Sequence, residues 1–415
     1  MQRFCKAQKL IKLRSVNYFI IHQQYTSMRY FYFLSSMILL LAGCSTPKAE
    51  FEDLPFSIVK TIKIENEQFT PSGFDFELFN DSLIYAYDIM NAVVFKYDSQ
   101  GKLLSSNRFQ KGINEVNLTY LGGLYLVNED SVFALEMGLG NLLLLDSDLK
   151  IKNSWNVYRL TEEQFYTASK TQIINFEATD DQPIITLSAT SKKYSSSQKE
   201  HYETSFLAIK LNLKTGESRT FFKYPQESSY RNNLFWGDED PYYIFDNGVY
   251  YASFSFDPNL YSFIEDSEEY RLYTYDGKLN KKPTGVQFGM NQADFIRDHQ
   301  VEVYYNQNDF NLISKNILNL SDRKYFIRAV RKAMKLGEQV GVSDIMLTNN
   351  FVHEYIFQIV DLYQKSPHVW KEYLLPKEYK NFSYIDQEGR FYFKRGNMDA
   401  EEYLIDVVEL DVDGL

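Results

Sequence analysis

Cysteine is almost absent from this sequence: the 415 residues contain two, Cys5 and Cys44. Tryptophan occurs three times and histidine five times. Zinc sites are built from clustered Cys and His ligands, and disulfide frameworks need several cysteines. The composition therefore argues against both. The sequence also lacks an apolar run of the about 20 residues that a membrane-spanning helix requires.

An apolar stretch does occur near the start, over Phe31–Ala42. Its length suits the core of a signal peptide, roughly 7–15 residues. Met28 and Arg29 precede it, and it ends in Leu-Ala-Gly-Cys at Cys44. This order is typical of a bacterial lipoprotein signal, so we expect cleavage of residues 1–43 and lipidation of Cys44. Met28 is then the expected start codon. A noncleaved anchor or a plain secretory signal is the alternative.

Cleavage before Cys44 leaves 372 residues with 38 basic and 55 acidic side chains, a net charge of −17, against −11 for the whole chain. Such a charge repels nucleic acid, because nucleic-acid binding depends on Lys and Arg neutralising phosphates. Residues 44–55 are predicted to be a polar tether to the membrane, and residues 56–415 a single domain. The lipid makes the membrane the expected partner, and Ser45 favours the outer membrane, with the side of that membrane left open.

Tyrosine and phenylalanine are abundant, with 33 and 32 residues, and both favour β-strands. From Phe56 onward, short alternating runs are separated by turn residues, which is typical of strands. Two kinds of turn alternate along the chain. Turns of the first kind precede a strand and lie at 80–82, 129–131, 246–248 and 387–389. Turns of the second kind follow a strand and lie at 98–102, 146–150, 212–217 and 276–278.

Like turns recur at about 48 residues in the first half of the chain. Four strands with two tight hairpins per 40–50 residues form the repeat of a β-propeller. We therefore predict an all-β, six-bladed β-propeller, with a β-sandwich as the alternative. Its last blade is expected to be closed by the N-terminal strand near 58–64, which removes the open edge of the ring. The other five blades are expected at 69–109, 115–158, 171–224, 242–288 and 300–376.

The segment 324–340 fits two secondary structures. Phe326, Val330 and Ala333 share one face of a helix, whereas Tyr325, Ile327 and Ala329 alternate as in a strand. Period alone does not decide between the two for so short a run. We favour a strand in blade five.

With the blades laid out, the chain resembles a family of Bacteroidota lipoproteins that carry a TolB-like six-bladed propeller and have no known function. The residues that carry the resemblance are the signal ending at Cys44, the aromatic strand pairs and the run Lys111–Val116 (KGINEV). That run is similar to a Glu-Gly-Pro-Asn-Gly-Val motif of the group and departs from it at three positions. The resemblance implies a propeller at the cell envelope and supplies no catalytic residues.

Local catalytic motifs are missing from the sequence. It contains no Gly-x-Ser-x-Gly elbow and no phosphate-binding loop. The four histidines after Cys44 fall on different kinds of segment, at positions 201, 299, 353 and 368. We therefore predict neither a metal nor a cofactor, and the catalytic residues, if any, are unknown.

The candidate ligand site comes from propeller geometry. Loops that join strands two and three of a blade, and strand four to the next blade, emerge on one face around the channel mouth. Those loops are expected at 88–91, 136–141, 191–205, 257–269 and 396–402, together with the connection 225–241. Aromatic and Arg side chains recognise peptides and glycans, so we predict ligand binding by Arg231, Trp236, Asp238 and Tyr242. The alternative role for Trp236 and Tyr242 is to fill the core.

We expect a lipid-anchored binding or scaffold module for a peptide, protein or glycan. A hydrolase or lyase whose residues converge only in three dimensions is the rival, and a structural partner in an envelope complex is a third interpretation.

Overall fold

The structure is a computed structural model. The description covers residues 51–411 apart from 65–73, 80–81, 90, 110–119, 137–138, 168–171, 180–181, 236–238, 266, 268, 280–282, 300–302, 304–307, 314–315, 321, 334–353 and 396–402. The predicted signal region, Cys44 and the Lys111–Val116 run therefore lie outside the described residues.

The strands form six sheets, one for each blade. Blade one contains β3 (Phe74–Phe79), β4 (Leu83–Asp88), β5 (Val93–Asp98) and β6 (Leu103–Arg108). Blade two contains β7 (Leu121–Asn128), β8 (Ser131–Glu136), β9 (Asn141–Leu145) and β10 (Ile151–Asn156). Blade three contains β11 (Phe165–Thr167), β12 (Ile173–Thr179), β13 (Gln182–Ser191), β14 (Phe206–Asn212) and β15 (Ser218–Lys223).

The second half of the ring follows the same plan. Blade four contains β16 (Tyr242–Asp246), β17 (Val249–Phe254), β18 (Asp257–Ile264) and β19 (Tyr270–Tyr273). Blade five contains β20 (Asp309–Ile313), β21 (Leu318–Leu320), β22 (Arg323–Arg331), β23 (Tyr355–Asp361), β24 (Trp370–Leu374) and β1 (Glu52–Asp53). Blade six contains β25 (Tyr379–Ile385), β26 (Phe391–Arg395), β27 (Tyr403–Leu410) and β2 (Phe56–Ile64).

The helices of the described chain are short. They are α1 (Val157–Leu160), α2 (Lys199–Thr204), α3 (Gln292–Asp298) and a 3-10 helix at Ser229–Arg231. The predicted all-β six-bladed propeller is thus confirmed.

The ring closes as predicted, because β2 pairs antiparallel with β27 in blade six. Buried Asp406 strengthens this sheet. Its carboxylate accepts hydrogen bonds from Thr61 Oγ1 at 2.6 Å on β2 and from Arg395 Nε at 2.6 Å on β26. Tyr379 OH donates to the same carboxylate at 2.8 Å. One charged group therefore links the N-terminal strand to all three C-terminal strands.

The turn residues work by local hydrogen bonding in blades one and two. Asp98 Oδ1 accepts from the backbone N–H of Lys102 at 3.0 Å, and Asp146 Oδ1 accepts from that of Lys150 at 2.8 Å. The segment 276–278 follows a strand as predicted, but that strand is the last of blade four, so the segment lies in the connection to blade five and not in a hairpin. Blade four accordingly ends at Tyr273 and not at 288. An isolated antiparallel bridge joins Val286 of that connection to Leu234 of the connection before blade four.

The inner strand is interrupted in blades three and five. Both β11 and β12 pair with β13, and both β20 and β21 pair with β22. Since β22 covers Arg323–Arg331 and pairs with β23 from Tyr325 to Arg331, the strand interpretation is confirmed for this part of the segment. The rest of the ambiguous segment, 334–340, lies outside the described residues.

The end of the predicted tether belongs to the propeller. Glu52 pairs with Tyr373 as β1 runs parallel to β24. The Leu54 N–H donates to the Leu374 carbonyl at 3.0 Å, and the Leu54 side chain is buried. The sequence pattern misses this strand because two residues carry no period. The segment 44–55 is therefore not a tether throughout.

The core lies between the blades. Each of six clusters of buried apolar side chains occupies one interface between neighbouring blades. The interface of blades four and five also buries Arg328. Its guanidinium carbon lies 4.4 Å from the ring centroid of Trp370, and its Nη2 donates to the Pro258 carbonyl at 2.6 Å. Burial lowers the pKa of Arg328 to about 9.

Candidate functional site

The upper face of the ring, as we name it, carries the loops between strands two and three and the connections between blades. One predicted part of it is wrong: 257–269 is strand β18 followed by a turn on the opposite, lower face. The connection between β17 and β18 on the upper face is only Phe254–Asp257. The sequence prediction misplaced this loop because aromatic residues fill both β17 and β18, so the pattern does not show where one strand ends and the next begins. The predicted loop 396–402 lies outside the described residues.

Two of the four predicted ligand-binding residues are described. Arg231 ends the 3-10 helix, and its Nη1 donates to the backbone carbonyl of Tyr202 at 2.6 Å. Tyr242 begins β16, the inner strand of blade four, and is half-buried there. Trp236 and Asp238 lie outside the described residues. Arg231 thus lies in a loop that its own hydrogen bond stabilises, and Tyr242 lies beside the channel.

An aromatic cluster explains why Arg231 is held. Tyr202, Tyr224 and Tyr230 are all buried, and their rings contact one another, with 5.0 Å between the centroids of Tyr202 and Tyr224. Phe235 packs on Tyr230 at 4.7 Å. Tyr230 and Phe235 of the predicted connection therefore pack as core at the junction of blades three and four, and the Arg231 guanidinium serves that packing.

A second group of polar side chains lies at the channel mouth. We call Asp75, Tyr87, Tyr242 and Lys394 the mouth cluster. Asp75 Oδ2 accepts a hydrogen bond from Tyr87 OH at 3.1 Å. Burial raises the pKa of Tyr87 well above its ordinary value, and the nearby charge of Asp75 and the Tyr242 hydroxyl add to this. Burial lowers the pKa of Lys394, which Asp75 partly offsets.

The mouth cluster combines a carboxylate, two phenol hydroxyls and an ammonium group from three different blades. Blade one supplies Asp75 and Tyr87, blade four supplies Tyr242, and blade six supplies Lys394. Such a set can donate and accept hydrogen bonds with a polar ligand at the upper end of the channel. Perturbed pKa values of this kind concentrate at functional sites.

Further polar contacts continue along the inner strands. Tyr125 OH donates to Asn175 Oδ1 at 3.2 Å, and Asn175 Nδ2 donates to Glu177 Oε1 at 2.9 Å. Burial raises the pKa of Tyr125, and the charges of Glu177 and Glu77 also raise it. Sequence reasoning missed these residues and, apart from Tyr242, those of the mouth cluster. The available signal was the polar residue at every second position of strands predicted to line the channel.

Other buried carboxylates of the upper face shape its loops. Asp88 accepts from the N–H and the Nδ2 of Asn91, both at 2.9 Å. Glu136 accepts from Asn141 Nδ2 at 2.5 Å. Each carboxylate ends the second strand of its blade and closes the loop that follows. Their hydrogen bonds give them a structural role.

The histidines of the described chain lie on separate segments. His201 is buried in α2, with Nδ1 3.2 Å from the Tyr194 carbonyl. His368 is buried against the Tyr273 ring at 4.9 Å in the lower loop of blade five. Burial lowers the pKa of both, and His299 follows α3. Within the described ranges no three His, Cys, Asp or Glu side chains form a group that could hold a metal ion.

The lower face has two adjoining grooves, one between blades four and five and the other on blade five. They measure ≈ 490 and ≈ 520 Å³ and share Tyr363. Lys324 pairs with Asp246 and Arg323 pairs with Asp361 along their walls. These charged side chains already have partners, so we assign no ligand to the grooves.

None of the helices in the part of the chain that the structure covers is long and apolar enough to cross a membrane.

No family model and no curated protein matches the chain in sequence. Solved structures do resemble it. A DUF4221 family member from Bacteroides vulgatus aligns with a TM-score of 0.62 at 14% identity, over 88% of this chain and 100% of its own. A Bacteroides fragilis protein named for its presumed export gives 0.47 at 10% identity, over 88% and 98%. Virginiamycin B lyase from Staphylococcus aureus gives 0.40 at 10%, over 86% and 99%.

These identities are too low to carry an activity across. Only the similarity to the DUF4221 protein has a TM-score above 0.5 among these three, and it concerns the fold. The chain therefore shares the six-bladed propeller fold of the DUF4221 protein.

Proposed function

We propose that this protein is a lipid-anchored propeller of the bacterial cell envelope, most consistent with the outer membrane, that binds a peptide, protein or glycan without catalysis. The mouth cluster carries the proposal. It brings Asp75, Tyr87, Tyr242 and Lys394 from three blades to the end of the channel, although their positions in the sequence are far apart. Propellers support many functions, so the argument depends on this site and not on the fold.

The anchor is the second part of the proposal. Two or more acyl chains on one residue make membrane binding stable, because each buried methylene contributes about 0.8 kcal/mol. The first paired residue of the propeller is Glu52. Seven residues, 45–51, therefore separate the proposed lipid on Cys44 from the first strand. Because each residue spans at most about 3.6 Å, this link is shorter than the tether of about a dozen residues, 44–55, that the sequence predicts.

Metabolic labelling tests the anchor. Cells that express the full chain are grown with an alkyne-tagged fatty acid, and the label on the protein is measured after fractionation. We expect label in the membrane fraction for the wild type and none for Cys44→Ser. Cys5→Ser is the matched control and should remain labelled. A Cys44→Ser variant that stays labelled would refute the anchor.

Binding arrays test the mouth cluster. The purified protein is applied to arrays of peptides and of glycans, and the affinity of each hit is measured by calorimetry. Asp75→Asn and Tyr242→Phe should weaken binding about tenfold or more, which is the loss expected for one charged hydrogen bond. Asp322→Asn and Tyr363→Phe, both on the exposed lower face, are the matched controls. Equal losses in both pairs would rule out the mouth as the site.

The lowered pKa of Lys394 favours a second candidate, a lyase or hydrolase. A lysine whose pKa is lowered and that lies near a carboxylate can act as a general base toward a substrate. Turnover of the bound glycan or peptide, followed by mass spectrometry, decides between the two. Product formation that Lys394→Gln abolishes while binding persists would replace the noncatalytic proposal.

A further inference from the structure

A lysine on the upper face lies between two tyrosine rings. The ammonium of Lys192 is 4.7 Å from the ring centroid of Tyr158 and 4.5 Å from that of Tyr166. We call these three residues the tyrosine clamp. Within the part of the chain that the structure describes, no carboxylate forms an ion pair with Lys192. Ring faces attract a cation, but they leave its positive charge uncompensated.

The ring of Tyr158 is fixed by its surroundings. Its hydroxyl lies 2.7 Å from Thr167 Oγ1 and accepts from the Thr167 N–H at 3.0 Å. The ring of Phe165 packs edge-on at 5.2 Å. Gly140 lies against the ring with φ +70°, and a Cβ at that position would come within 2.7 Å of it. A glycine is therefore required there, and Tyr158 is held ready without a ligand.

The ring of Tyr166 is open to solvent by comparison, with 56% of its surface exposed. Tyr166 pairs directly with Thr190 across β11 and β13. Because side chains alternate along a strand, Tyr166, Thr190 and Lys192 lie on one face of this strand pair. Leu139, which is 54% exposed and precedes Gly140, adds apolar surface on the blade-two side. The clamp therefore offers a flat ring, an apolar neighbour and a fixed cation at one place.

The charge and shape of the clamp select a ligand. The chain carries a net charge of −11, whereas Lys192 places a positive charge between the two rings of the clamp. A negative group on a ligand would complement it. An exposed aromatic ring packs against the apolar C–H face of a sugar, and an anionic sugar presents both features together.

We propose that the tyrosine clamp is a second ligand site of the upper face and that it binds an anionic glycan, with the acidic group on Lys192 and a sugar ring on Tyr166. The proposal rests on the binding function proposed above. It narrows the ligand class, and it uses residues separate from the mouth cluster.

Isothermal titration of the purified full chain with four polymers tests this site: polygalacturonate, dextran sulfate, neutral dextran and polyglutamate. We expect binding of polygalacturonate, of dextran sulfate or of both, and the stronger of the two identifies the acidic group as a carboxylate or a sulfate. Affinity should fall as salt is added, because exposed charges are screened. Equal binding of neutral dextran, stronger binding of polyglutamate, or no binding of any polymer overturns the proposal.

Variants locate the site. Lys192→Gln and Tyr166→Ala should each weaken binding about tenfold or more, while Tyr166→Phe keeps the ring and should retain most of it. Lys193→Gln is the matched control, because that exposed lysine lies over the single ring of Tyr194 at 5.3 Å. Circular dichroism confirms that each variant is folded. Unchanged affinity in Lys192→Gln refutes the site.

The mouth variants keep the two proposals apart. A loss in Asp75→Asn with unchanged binding in Lys192→Gln supports the mouth and overturns the clamp. The reverse pattern supports the clamp and overturns the mouth as the site of glycan binding.

Discussion

Blades one and three follow the same strand plan, but the loops between their second and third strands differ on the upper face. In blade one the chain turns from β4 to β5 within a few residues, and Asp88 closes the turn on Asn91. In blade three the chain leaves β13 at Ser191 and returns at Phe206 after forming α2. Tyr202 of that helix is buried against Tyr224 and Tyr230.

The difference separates two ways of ordering a loop. The turn of blade one is specified by a carboxylate and an amide three residues apart, so it needs no other part of the chain. The insertion of blade three is ordered by aromatic rings from the next connection. Loops of the second kind tolerate variation and commonly carry function on a rigid scaffold. Lys192 begins this insertion, and Arg231 supports it from outside.

Removal of the Tyr202 ring should have the largest effect on this contrast. Tyr202→Ala leaves a cavity among Tyr224, Tyr230 and Phe288, and we expect a loss of about 3–5 kcal/mol in the free energy of unfolding. Denaturant unfolding followed by circular dichroism measures it. Tyr363→Ala, at an exposed tyrosine, should change stability by no more than about 0.5 kcal/mol. A loss in Tyr202→Ala as small as that of the control would contradict long-range ordering.

The turn of blade one should respond less. Asp88→Ala removes the carboxylate that accepts two hydrogen bonds from Asn91 and leaves both Asn91 donors without a partner in the turn. We expect a loss of about 2 kcal/mol in the free energy of unfolding. Asp88→Asn keeps one acceptor oxygen and should lose less. Hydrogen exchange of the Asn91 amide is the local readout, and it should accelerate in Asp88→Ala. An unchanged exchange rate would mean that the carboxylate does not hold the turn.

A substitution of Arg231 distinguishes a role in stabilising the loop from a role in binding the ligand. Arg231→Ala removes the hydrogen bond to the Tyr202 carbonyl and should cost about 1.5 kcal/mol of stability, while Arg231→Lys should restore part of it. Thermal unfolding and ligand affinity are measured on the same samples. Lost affinity with unchanged stability would support the ligand-binding role predicted from the sequence and contradict the supporting role.

The smallest expected effect is on the pH dependence of stability. Burial lowers the pKa of His201, so the unfolded chain binds a proton at a higher pH than the folded chain does. Stability is then complete above the unfolded pKa of about 6.5 and falls as the pH drops from there toward the lowered folded value. His201→Gln should reduce this fall, measured by denaturant unfolding between about pH 7.5 and pH 5.5.

His368→Gln gives the comparison for this titration. His368 lies in blade five, and burial lowers its pKa as well, helped by the charge of Arg271. Its removal should reduce the acid-side loss in the same direction. A steeper loss in either variant would contradict the neutral buried state of that histidine.

Much of the fold follows from sequence because its signals are local. Alternating strands and turn residues such as Asp98 and Asp146 specify hairpins within a few residues, and the strand at 58–64 had no local partner, which indicated ring closure. The same reasoning failed at Asp276, where a turn motif lies between blades. It also failed at Glu52, since a two-residue parallel strand carries no period.

The candidate sites were far less accessible to sequence reasoning. Arg231 and Tyr242 were chosen because aromatic and Arg residues crowd one connection, yet Arg231 supports that connection and only Tyr242 reaches the channel mouth. Asp75 and Lys394 lie more than 300 positions apart in the chain. Nothing in a single strand indicates that such residues share a site.

By itself the sequence determined an all-β chain of six blades closed by its own N-terminal strand, and it predicts a lipid on Cys44. Those features depend on period, turn chemistry and short motifs, which neighbouring residues define. Only the tertiary structure decided which polar groups meet at the mouth, which rings enclose Lys192 and which aromatic residues became core. Side-chain partners across blades depend on the twist and register of separate sheets, and packing sets these only when the whole ring has formed.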